Sequence, residues 1–263
     1  MSLTLLHATW TPISLLLFVL IARPAHNPFL DCAVAVRAAI AARGGRLVLA
    51  ALLGVLAANF AECAVDPAVS AALGWDATPL VRAVESDWVE RVQAGVPPWS
   101  LGVLAWFYLS GYVAVLAAPL VVWTAEGRGP AVAAYTAAFA ANYLLALPFY
   151  LLVPVREAAW SGLSAAQPLL DVPWPGITAE LRAGSALDNC FPSLHVSCTT
   201  TVFCLALRHG PRNLRLLAAA AALATAWAVM ALGIHWGLDV AAGVPFGIGC
   251  ALLGRRATRE LRS

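Results

Sequence analysis

The chain has 263 residues, of which 61% are hydrophobic and only 11% charged, and its mean hydropathy is +0.79. Soluble domains carry roughly a quarter charged residues, so this composition excludes an ordinary water-soluble protein. A formal net charge of +2 is too small to imply a nucleic-acid partner.

Seven apolar stretches follow one another at residues 3–22, 47–61, 101–123, 131–153, 194–207, 214–232 and 236–253. Several approach the ~20 residues that cross a bilayer, and in lipid each backbone amide must be paired within its own segment, so they read as helices. The expected fold is an all-α polytopic transmembrane bundle of six to seven spans, a single integral membrane domain over 1–263. The first stretch contains His7 and Pro12 and reads as a span or as a signal-like segment, although no small-residue cleavage site follows it. Residues 24–46 mix Arg37, Arg43 and Arg46 with short apolar runs, as a helix lying in the interface would. The loop 62–100 sets Trp75, Trp88 and Trp99 among acidic residues, which suits the headgroup level; it reads as an interfacial connector or as a cover over a site.

All 16 basic residues are Arg, and if the seven spans alternate, 12 of them fall on one side. By the positive-inside rule that side is cytoplasmic. The loops 62–100, 154–193 and 233–236 then face the extracytoplasmic space of a multi-pass protein of the cell membrane. Six cysteines show no metal-ligand spacing; Cys63 and Cys190 both lie near the outer face, where a disulfide can persist.

Ionisable residues at membrane depth are costly and mark function. Two segments at outer span ends carry them: Asp188-Asn189-Cys190-Phe191-Pro192-Ser193-Leu194-His195, and Gly233-Ile234-His235-Trp236-Gly237-Leu238-Asp239. His235 and Asp239 are four apart and share one helix face. A carboxylate on one imidazole nitrogen fixes the tautomer and makes the other the better nucleophile or base. Pro192 fits a helix start, which puts Ser193 and His195 in a first turn where free amides and the dipole favour an anion. Asp188 and Asn189 read as helix caps or as ligands for polyol hydroxyls, and Tyr143 and Tyr150, seven apart, read as packing or as the lining of an acceptor pocket.

The two segments together resemble the type-2 phosphatidic acid phosphatase superfamily of lipid phosphatases and phosphotransferases. Pro192-Ser193-Leu194-His195 is similar to the family's P-S-G-H, with Leu for Gly, and His235 with Asp239 matches its H-x3-D, 40 residues after His195. The P-S-L-H form, preceded by Phe and Cys, is similar to the branch that includes inositol phosphorylceramide synthases. The resemblance places the catalytic core at 131–253. It implies that His235 attacks phosphorus, that Asp239 orients it, and that His195 protonates the leaving oxygen and later deprotonates the acceptor. Ser193 and the Leu194 amide would hold nonbridging oxygens. Arg156, at the outer end of the fourth span, stands where the family's first-motif Arg would sit.

The chain departs from the pattern as well. Ala228 and Val229 replace the S-R dipeptide, Phe149 stands where a Lys is expected, and Glu157 follows Arg156 where the family has Pro. One obvious cation therefore replaces up to three. A phosphomonoester is nearly a dianion at neutral pH and a diester carries one charge, so the thinner cradle favours transfer of a headgroup phosphate from a lipid diester, with monoester hydrolysis second. The expected partners are a lipid phosphate, an alcohol or polyol acceptor and the membrane. Neither cofactor nor metal is required, since His235 and Asp239 alone make a poor ligand set. The competing reading is a non-catalytic lipid-binding or carrier protein with degenerate motifs.

Overall fold

A computed structural model of the chain describes residues 2–182 and 188–260. Among the described residues stand twelve α-helices and no strand. Helix α1 (Leu3–Ala22) is followed by α2 (Pro28–Ala41) and α3 (Arg43–Leu73). Short helices α4 (Thr78–Glu85) and α5 (Trp88–Ala94) lead into one rod made of α6 (Leu101–Trp106), a π-helical turn at Phe107–Gly111, and α7 (Tyr112–Ala125). Then come α8 (Gly129–Leu152), α9 (Ile177–Arg182), α10 (Leu194–His209), α11 (Arg212–Ala231) and α12 (Gly237–Glu260).

Among the described residues, six segments are long and apolar enough to cross a membrane: Leu3–Ala22, Arg43–Asp66, Pro98–Ala125, Gly129–Leu152, Arg212–Ala231 and Gly237–Thr258. The seventh apolar run folds as α10, whose 16 residues reach only about 24 Å. It is enclosed by α7, α8, α11 and α12, with Ser197, Thr199, Thr200 and Thr201 all buried. Burial among helices explains why it tolerates those hydroxyls, each of which needs an internal partner away from water. The Thr201 hydroxyl donates to Gly247 O at 2.9 Å and accepts from Asn142 Nδ2 at 3.0 Å, and Ser197 donates to Asn142 Oδ1.

The interfacial segment becomes α2, 14 residues long, with Phe29, Leu30, Val36 and Ile40 exposed. α1 is built into the bundle through buried Leu6, Phe18, Val19 and Ala22. α3 runs well past the expected end at 61, because its last turns pack against the segment around Asp188, to which Ser70 donates at 2.9 Å.

The loops assigned to one face do come together. Ala77 N donates to Pro154 O, Ala159 N to Gly233 O, and the Gln93 amide reaches Gln167 O and Ala231 O. At the opposite end Arg23 pairs with Asp31 at 2.6 Å, Arg128 pairs with Glu126 at 2.6 Å, and Arg128 donates to His209 O at 2.7 Å. Sorting the charges by alternating spans thus predicts two real ends of the bundle. Residues 62–100 are more than a connector: α4 and α5 lie over the start of α12, where Glu85 Oε2 accepts from Leu238 N at 2.9 Å.

α12 approaches α10 through Gly243 and Gly247, a small-residue pair one turn apart that lets backbones meet. A Cβ at Gly247 would run into the Ser197 backbone, and one at Gly243 would stand 2.8 Å from Ser193 O. Gly247→Leu is therefore expected to cost about 3 kcal/mol of stability and to separate the two motif segments. A thermal melt in detergent matching the parent's would contradict this.

Candidate active site

Each motif is held by its own local geometry. Val155 N donates to Asp188 O at 2.7 Å and Cys190 N to Val155 O at 3.2 Å, zipping residues 188–190 onto the end of α8. Tyr150 Oη donates to Pro192 O at 3.0 Å. Ser193 then caps α10, its Oγ accepting from Val196 N at 3.4 Å. The Leu194 and His195 amides belong to the first turn, where no intrahelical acceptor exists. Ser193 N donates to Asp239 O at 3.2 Å, so the two motifs touch through backbone too.

The second motif leaves α11 through Gly233, whose φ is +80°. A Cβ there would sit 2.6 Å from Gln167 O and 2.8 Å from the Ala159 methyl, so the turn needs glycine on both conformational and steric grounds. Ile234 N and His235 N both donate to Val229 O, at 2.9 and 3.0 Å, which swings His235 inward. Trp236 N donates to Asp239 Oδ2 at 2.9 Å and the Trp236 indole to Arg156 O at 2.8 Å.

The result is a line of three side chains. Asp239 Oδ2 lies 3.4 Å from His235 Nδ1, and His235 Nε2 lies 3.3 Å from His195 Nδ1. Asp239 is fully buried and His235 is 4% exposed. Burial pushes the His235 imidazole down to about 4, with a backbone hydrogen bond at Cys190 pulling weakly the other way, so the ring is neutral at physiological pH. A neutral imidazole whose Nδ1 faces a carboxylate keeps a lone pair on Nε2, the atom that faces His195.

Both histidines open onto a cavity of about 190 Å³, lined also by Leu194, Asn59, Asn189, Cys63, Cys190 and Glu157 and by four tyrosines, 108, 112, 143 and 150. Tyr143 and Tyr150 thus line the cavity, whereas Asn142 serves the α10 network. Cys63 and Cys190 share its wall, and no disulfide joins them. Ser193 and Asp239 stand behind that wall.

Arg156 is not brought to the cavity. Its guanidinium, 55% exposed, pairs with Asp76 at 3.2 Å, and only its backbone supports the site, through Trp236 and Thr78. Asp76 sits just before α4. Arg82 and Arg91 are likewise held, by Glu90 and Asp87 at 3.0 Å each. Among the described residues, the cation in contact with the cavity wall is Arg182, whose Nη2 donates to Glu157 Oε2 at 3.0 Å and whose guanidinium lies 3.4 Å over the Trp160 ring. Burial raises Glu157 to about 7 against the lowering effect of Arg182.

Sequence reading passes over Tyr108 and Tyr112, whose rings lie 4.9 and 4.8 Å from that of His195. Their four-residue spacing within a span is a visible signal, but the π-helical turn at 107–111 that aims both at His195 is not. Such turns recur at functional sites. Glu157 is missed for another reason: read as a departure from a motif, it is in fact the group that holds Arg182.

No curated protein and no solved structure matches the chain. A family model described as the PAP2 superfamily does match, over residues 80–253, which is about two thirds of the sequence and extends the resemblance upstream of 131 to take in α4 and α5. With the match spanning both histidine motifs and the rods that carry them, the chain belongs to the PAP2 superfamily of lipid phosphatases and phosphotransferases.

Proposed function

We propose that the chain transfers the headgroup phosphate of a lipid phosphodiester to an alcohol or polyol acceptor through a phosphohistidine on His235. The observation that carries this reading is the alignment Asp239–His235–His195 at 3.4 and 3.3 Å beside a cavity lined by both rings. Substrate phosphate reaches the two imidazoles from the cavity and replaces the 3.3 Å contact between them. Nε2 of His235 attacks phosphorus while the bond to the lipid oxygen breaks, and His195 gives its proton to that oxygen. In the second half His195 takes the acceptor's proton as the acceptor oxygen displaces Nε2. Asp239 stabilises the positive charge that develops on His235, and the Leu194 amide and the α10 terminus hold nonbridging oxygens. The entering anion is also the countercharge that lets His195 carry a second proton.

The wall favours a singly charged diester over a dianionic monoester. It offers asparagines, tyrosines, cysteines and the carboxyl of Glu157, while Arg156 faces Asp76. The site lies at the end of the bundle opposite the Arg-rich loops, which supports an extracytoplasmic active site in a multi-pass protein.

Solubilised protein is to be offered lipids labelled with radioactive phosphate, as diester and as monoester, then quenched in base. Label is expected on a histidine, faster from the diester, with transfer to added alcohol. A carrier with degenerate motifs would take up no label, and such a result ends this reading.

A further inference from the structure

His235 and Asp239 alone are a poor metal ligand set, and the sequence offers no third donor beside them. The fold supplies one. Cys190 Sγ, a ring nitrogen of His235 and a carboxylate oxygen of Asp239 lie within 4.8 Å of one another, and all three residues are buried. Cys190 comes from a different segment, held by its zip to Val155, and its Sγ lies 3.6 Å from Ile234 O.

A second observation points to a ligand at this spot. Asp239 Oδ2 faces Trp236 N and His235 Nδ1, but Oδ1 is buried with no hydrogen-bond partner. An unpaired buried carboxylate oxygen is costly and calls for a proton or a cation. Charge arithmetic favours a particular cation: a divalent ion with one thiolate, one carboxylate and one neutral imidazole gives a site of zero net charge, the cheapest state in a low-dielectric interior. The donor set excludes Mg²⁺ and Ca²⁺, which take oxygen ligands, and suits borderline ions such as Zn²⁺. Cys190 and His235 both line the cavity, so an ion reaches the trio from there.

We propose that Cys190, His235 and Asp239 form a binding site for a borderline divalent metal, with Zn²⁺ as the type, and that its occupancy excludes phosphoryl transfer. The exclusion, which rests on the proposed function, follows because His235 and Asp239 cannot serve metal and phosphorus at once. Coordination replaces the S–H bond of Cys190 by an S–metal bond and releases one proton to solvent. Burial raises the Cys190 thiol well above its ordinary range, so thiolate forms with the metal rather than ahead of it.

The test is a titration of the EDTA-treated, purified full chain with Co²⁺, whose thiolate charge-transfer band reports sulfur coordination. The band is expected to saturate at a single equivalent and to disappear when Zn²⁺, but not Mg²⁺, is added. Cys190→Ser should abolish it and weaken Zn²⁺ binding by at least about tenfold, whereas Cys204→Ser should keep it. A missing band, or one that survives Cys190→Ser, overturns the site. In lipid turnover, Zn²⁺ should inhibit the parent reversibly, and Cys190→Ser should need at least about tenfold more ion for the same fractional loss. Equal sensitivity overturns the exclusion. Should no lipid turn over in any form, the proposed function fails while the cobalt spectrum still decides the metal site.

Discussion

His235→Ala is expected to lower lipid phosphate turnover by about 10⁶-fold, the order of loss when a covalent nucleophile is removed, and to abolish label on histidine. His195→Ala should cost about 10³-fold, the scale of a general acid–base catalyst. The two losses differ in kind. A phosphodiester with an activated leaving group, such as a nitrophenol, needs no proton at the leaving oxygen, so it should restore phosphohistidine formation to the His195 variant and nothing to the His235 variant. Asp239→Asn gives a third pattern. Asn keeps an acceptor for Trp236 N, which Asp239 Oδ2 now takes at 2.9 Å, so the fold is retained. It cannot stabilise the charged ring, so phosphohistidine formation should slow by about 10⁴-fold even with the activated ester. Measuring both substrates on all three variants separates nucleophile, acid and positioning residue. Turnover by the His235 variant at the parent's rate would mean that another group attacks phosphorus.

Much of this site was legible in the sequence because it is local. His235 stands just before α12 and Asp239 in its first turn, so the four-residue spacing brings them within reach, and Ser193, expected in the first turn of α10, takes the capping place that the sequence offers to Asp188 and Asn189. The helical bundle was legible too, since apolar run length obeys a solvent that the sequence has to satisfy. Properties that depend on meetings between distant segments were not. Arg156 is assigned by position along the chain, but its side chain answers to Asp76, about 80 residues away, a competitor that no local pattern identifies. The same holds for Cys190, which reads as a disulfide candidate with Cys63 until the turn at Gly233 brings His235 against it. The run that becomes α10 reads as one more span in sequence, and only its enclosure by four helices explains how so short a helix carries buried hydroxyls.

Loss of Arg182 is the second large effect expected, since under the proposed function this Arg would make good the missing cations. Among the described residues it is the Arg that contacts the cavity wall, yet Glu157 occupies it at 3.0 Å. A bound phosphate oxygen can replace that carboxylate on the guanidinium, provided Glu157 takes a proton. With Glu157 raised to about 7, protonation is available on the acidic side of neutrality and lost above it. The contribution of Arg182 to kcat/KM should therefore be largest below pH 7 and shrink as pH rises. Arg182→Gln is expected to lower kcat/KM by about 10²-fold at acidic pH, the scale of one electrostatic donor to a transferring group, and by less in alkaline buffer. Glu157→Gln should flatten the profile, because the carbonyl of Gln holds a guanidinium weakly at every pH. Arg156→Gln, whose guanidinium faces Asp76, should leave the profile of the parent. The measurement is the ratio of parent to variant kcat/KM across neutrality; a ratio for Arg182→Gln that does not change with pH would show that Glu157 does not gate the cation. The outcome also bears on substrate choice, since a cation released by protonation would strengthen binding of a phosphomonoester most where the monoester itself is least charged.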